Sequence, residues 1–133
     1  MDLSAMAGTW DASVNVLYIT EDGGAFTAQK LWIATAFDVV AEIEIGAQLN
    51  GFVTADRLVV TLTNLTTGVV TTQVNNRTLA PAGTTRREPI RVDFPALVAN
   101  EGDLLRATCS YRATAGINTD YSWGQSEPAI AEP

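Results

Sequence analysis

Phe37-Asp38-Val39-Val40-Ala41-Glu42-Ile43-Glu44-Ile45 decides how the rest of the chain is read. Phe37, Val39, Ala41, Ile43 and Ile45 share one parity, and Asp38, Glu42 and Glu44 share the other. Side chains alternate faces along a strand, so this pattern predicts one face against a core and one against water. A helix fails here: turning about 100° per residue would bring Glu44 round beside Phe37 and Ala41. The stretch is expected to be the central strand of an all-β domain.

Outward from it, the neighbours read in the same way. Val14-Asn15-Val16-Leu17-Tyr18-Ile19 is rich in β-branched and aromatic residues and ends at Glu21-Asp22-Gly23-Gly24, a turn. Residues 27–36 are expected to form a strand that bends near Ala34–Ala36 and runs into Phe37; a short helix capped by Thr27 is the alternative. After Ile45, Asn50-Gly51 predicts a hairpin, with Asp56 marking a bulge or loop before Leu58, Val60 and Leu62 return along the central strand. Val69–Val74 is a threonine-rich peripheral strand that Asn75-Asn76 ends. Residues 80–89, with two prolines and Gly83, are expected to be an exposed loop.

Ile90-Arg91-Val92-Asp93-Phe94 resumes the alternation, and Leu97 is placed to plug the end of the core. Leu105, Ala107, Cys109 and Tyr111 form one face of the next strand, against Leu104, Arg106, Thr108, Ser110 and Arg112. Tyr121-Ser122-Trp123 is a final aromatic strand. Residues 1–13 are an arm or edge strand, 14–126 the domain, and 127–133 a flexible tail unless a neighbour holds them.

About seven or eight short strands at this spacing predict a two-layer antiparallel β-sandwich, an immunoglobulin-like or related Greek key. The segment from Arg91 to Leu97 and on through Gly102-Asp103-Leu104-Leu105 resembles the corner between late strands of immunoglobulin-like modules. The cysteine pair and tyrosine corner of true immunoglobulin domains are missing, so the likeness is architectural and implies no function.

Composition narrows the function classes. The 133 residues suit one domain, and no apolar run is long enough to span a bilayer, so no membrane insertion is expected. The start has no basic segment followed by an apolar one. The expectation is cytoplasmic synthesis, with assembly into a virion or export without a cleaved signal as onward routes. A net charge of −7 argues against nucleic acid and anionic membranes as partners. Cys109 is the single cysteine, so no internal disulfide forms, and a buried, inert thiol is expected.

The chain has no histidine, which removes serine–histidine and cysteine–histidine catalysis and the usual zinc ligand sets. Glu42 and Glu44, about 7 Å apart on one strand face, are the one carboxylate pair suited to a hydrolase. Amphipathic patterning explains them as well, and the chain is read as a non-enzyme. No cofactor is expected; calcium at the acidic turns Glu21-Asp22, Glu101 to Asp103 and Asn118 to Asp120 is the weaker exception. Tyr121, Trp123 and Trp32 are candidate contacts for a carbohydrate or other small ligand, although large rings ordinarily fill cores. Arg86 and Arg87 are candidate partner contacts, although a solvated loop is the simpler reading. The leading expectation is a structural or interaction module, a subunit of a larger virion, secretion or surface assembly with a protein partner or self-association. Carbohydrate or small-ligand binding is the alternative, and a carboxylate-dependent hydrolase comes third.

Overall fold

The computed structural model describes residues 8–133, so residues 1–7 of the expected arm lie outside the described part. Two sheets face each other. The smaller has the order β1 (Ala12–Glu21), β3 (Phe37–Ile45), β6 (Arg86–Phe94). The larger runs β2 (Lys30–Trp32), β9 (Ala129–Glu132), β7 (Leu104–Ala115), β4 (Ala55–Asn64), β5 (Val70–Thr78), with β8 (Asn118–Gln125) also paired to β7. All pairings are antiparallel except that of β2 with β9. The fold is thus an all-β, two-sheet sandwich, and no described helix is long and apolar enough to cross a membrane.

β3 lies in the middle of its sheet, and its five apolar residues of one parity are all buried in the core. Ile90, Val92 and Phe94 pair with Ala41, Val39 and Phe37, and the rings of Phe37 and Phe94 stack at 5.0 Å. Leu97 closes the end of the core as expected. The other face of β3 is not the wet surface that its acids suggest. Asp38 and Glu44 are buried along with Val40, and only Glu42 is exposed. Arg91 and Arg87 reach across from β6 and cover those two carboxylates, which a one-strand pattern cannot reveal.

Asn50-Gly51 forms no hairpin. Asn50 ends a single helical turn, α1 (Ala47–Asn50), and Gly51 has φ −64°, not the positive value that the predicted turn needs. The chain instead crosses from one sheet to the other, so Leu58, Val60 and Leu62 meet β3 across the core and not along a ladder. Burying Leu49 and Val53 at the crossing, with the Asn50 amide bonded to Thr84 O and Arg86 Nε, outweighs the local turn preference.

Other boundaries move for similar reasons. Asp56 makes neither a bulge nor a loop; it sits inside β4, buried and held by Arg77 and Tyr111. Asn75 and Asn76 lie within β5, where Asn75 donates to Arg91 O on the edge of the opposite sheet. The loop ends at Thr85, and Pro89 lies in β6, an edge strand where a missing N–H is tolerated. Of residues 27–36 only Lys30–Trp32 are strand, and Ala34, at φ 65°, turns the chain out of the larger sheet before β3 begins in the smaller. The expected tail is β9: neighbours do hold it, with β2 on one side and β7 on the other, and Ala129 and Ala131 are buried.

Candidate functional site

The larger sheet has an open outer face, and the strand register says what shares it. Trp123, Ser110, Val59 and Val74 form one row across β8, β7, β4 and β5. Tyr121, Arg112, Arg57 and Asn76 form the next. Arg106 and Thr63 lie further along the same face. Directly paired residues project to the same side, so two rings and three guanidinium groups share one surface.

The rings point outward because the inner side of β8 does polar work. Asp120 accepts a 2.6 Å hydrogen bond from the Ala12 amide, and Ser122 a 3.0 Å bond from the Val14 amide. These close the free edge of β1 onto β8. At Gly124 an added Cβ would come to 3.0 Å from Val14 Cγ1, so a side chain fits there only if Val14 gives way. Polar residues and glycine therefore occupy the inside, and Tyr121 and Trp123 are left 66% and 72% exposed. The expectation that large rings fill the core is overturned at both positions.

The cations divide cleanly. Lys30, Arg77, Arg86, Arg87 and Arg91 each pair with a carboxylate. Arg57, Arg106 and Arg112 make no ion pair among the described residues, and the buried Nε atoms of Arg106 and Arg112 have no acceptor there. Parity along the single strands already put each arginine on an outward face with no acid beside it. Their convergence needed the register.

The other candidates sit elsewhere. Trp32 is on β2, half exposed, and lines a cleft with Asp22, Thr35 and Phe37. Arg86 is a structural pin and not a solvated loop residue: it donates to Asn50 Oδ1 at 2.8 Å and Ala80 O at 2.7 Å. Arg87 is largely exposed and binds Glu44 Oε1 at 2.7 Å. An apolar cleft that sequence reading missed is built on Trp10 stacked against Phe52 at 5.9 Å, with Leu49 and the fully exposed Ile117 on its walls. No sequence signal joins an arm residue to one after α1.

Among the acids, Glu42 and Glu44 do share a face, but Glu44 is also engaged by Asn15 Nδ2. The acidic turns separate in the same way. Asp103 accepts from Asn64 and the Asn100 amide, and Asp120 from Ala12. Asp22 instead meets Asp38 and Asp93, one carboxylate oxygen from each lying within 4.8 Å of the others. Burial works to raise the pKa of Asp38, but the Gly23 amide, the Arg91 guanidinium and the Asp93 carboxyl outweigh it and hold the group below its ordinary value. Contact with Asp38 pushes Asp93 up. Burial pushes the Cys109 thiol up to about 11, which agrees with an inert role. Comparison with family models, curated protein sequences and solved structures finds no match to this chain.

Proposed function

We propose that the chain is a non-enzymatic structural and interaction module, a subunit that joins copies of itself in a larger assembly through the outer face of its larger sheet. One observation carries this reading: three arginines without ion-pair partners among the described residues and two exposed rings lie on one sheet face, while every other described lysine and arginine is paired. Arginine and large aromatics are the residue types that dominate protein interfaces. In a protein of net charge −7, gathering unpaired cations on one side makes the rest of the surface more acidic still. A second copy therefore offers complementary charge, in a head-to-tail contact between unlike faces. The strand order β1-β3-β6 against β5-β4-β7-β8 supports an immunoglobulin-like Greek key as the scaffold.

Sedimentation velocity over a concentration series, at low and high salt, tests it. Association that weakens with salt and disappears in the Arg57→Glu, Arg112→Glu double variant is expected. A chain that stays monomeric at low salt, or a variant that associates like the wild type, overturns it.

The exposure of Tyr121 and Trp123 on one strand face favours a second reading, carbohydrate stacking on the same surface. Tryptophan fluorescence titrated with a glycan panel decides this: a saturable change absent from Trp123→Ala supports it, and no response removes it.

A further inference from the structure

We propose that Asp22, Asp38 and Asp93 form a binding site for a hard divalent cation of the calcium class. The three come from different elements. Asp38 lies near the start of β3, Asp93 is its direct partner on β6, and Asp22 follows the end of β1. The turn after β1 is closed by the Gly24 amide on Glu21 O, and Gly23, at φ 73°, directs its own amide to Asp38 Oδ2. This brings Asp22 over the two strand acids, and one oxygen of each residue lies within 4.8 Å of the others. Oxygens on opposite sides of a calcium ion stand about 4.6–5.2 Å apart, so the spacing suits that ion.

Proximity of acids alone would mean little, because exposed carboxylates cluster without purpose. The independent observation is at Asp38, whose side chain is only 1% exposed. Its Oδ2 is satisfied by Gly23 N–H at 2.9 Å and by Arg91 at 2.7 Å. Its Oδ1 is buried and has no donor among the described residues, the only carboxylate oxygen there in that state. A buried anionic oxygen without a donor is costly, and the carboxylate that carries it lies against two more acids.

Arg91 does not resolve this. One of its terminal nitrogens serves Oδ2 and the other donates to Gly24 O at 2.6 Å. Other buried carboxylates in the protein are supplied with donors: Asp56 by Arg77 and Tyr111, and Asp103 by Asn64 and Asn100. A divalent ion between the three aspartates would give Oδ1 its missing partner and relieve the repulsion with Asp93. Backbone carbonyls and water complete the six to eight oxygens that such an ion takes. Asp22 and Asp93 are exposed, so affinity is expected in the weak range of protein calcium sites, about 10⁻⁴–10⁻³ M.

The competing account is a proton shared between Asp38 and Asp93, with no metal. Thermal unfolding of the full chain separates the two, run after chelator treatment and then with calcium chloride or sodium chloride at matched ionic strength. Roughly tenfold excess over Kd should raise the wild-type Tm by about 3–6 °C. Asp93→Asn and Asp22→Asn, both at exposed positions that tolerate the change, should lose that shift. In chelated buffer Asp93→Asn should melt above the wild type, because it removes one of the facing charges. No calcium-specific shift in the wild type, or the same shift in wild type and both variants, overturns the site.

Discussion

The buried polar side chains carry more of this protein than their number suggests. Asp56 is completely enclosed, and its carboxylate receives Arg77 Nε and Nη2 at 3.0 and 2.6 Å and the Tyr111 hydroxyl at 2.6 Å. A buried carboxylate that loses its guanidinium keeps its desolvation cost without the compensation. Arg77→Ala should therefore destabilise by about 3 kcal/mol in chemical denaturation, and a loss below 1 kcal/mol would show that Tyr111 alone suffices. Cys109 gives a pH signature. Its pKa is higher folded, about 11, than its ordinary value of 9.0, so the folded state holds the proton more tightly. That contribution is complete below about pH 9 and is lost as pH rises towards 11, up to about 2–3 kcal/mol. Cys109→Ala should show a shallower decline across that window than the wild type; parallel curves would count against a buried thiol.

At the scale of elements, the last strand is the most exposed to test. β9 is short, yet among the described strands it alone pairs with β2, and Leu31 on β2 is buried. Removing residues 127–133 should free β2 and expose Leu31, at a cost of about 2 kcal/mol or more. A truncated chain with unchanged Tm would mean that β2 is held by other contacts. Ala34 carries a positive φ of 65°, which costs an L-residue roughly 1–2 kcal/mol in the left-handed region. Ala34→Gly should stabilise by about 0.5–1 kcal/mol once glycine's larger unfolded-state entropy is deducted. Denaturation midpoints of the two proteins settle the sign.

For the whole molecule, both sheets have a central strand paired on each side and edges that differ in exposure. β3, β4 and β7 are each paired on both sides, whereas β5 is an edge strand with a mostly exposed face. Amide hydrogen exchange should be slowest in β3, β4 and β7 and fastest in β5 and the loop after it. Uniform protection would contradict the sandwich order.

Much of this was legible along the chain. The alternation in Phe37–Ile45 and in Ile90–Phe94 names strands and inward faces, because burial of one face imposes period two on any strand. The outward parity of Arg57, Arg106 and Arg112 could likewise be read from each strand alone. What no single strand records is which outward residues become neighbours. Arg91 covers Asp38, and Arg57, Arg112 and Tyr121 share a row, only because register aligns strands far apart in sequence. The same holds where tertiary burial overrode local preference, as at Asn50-Gly51 and in the tail that became β9. The sequence by itself determined an all-β sandwich and the inward face of most of its strands, since hydrophobic periodicity is a local signal. Only the tertiary structure decided the arginine and aromatic face and the aspartate triad, since both are made by contacts between distant segments.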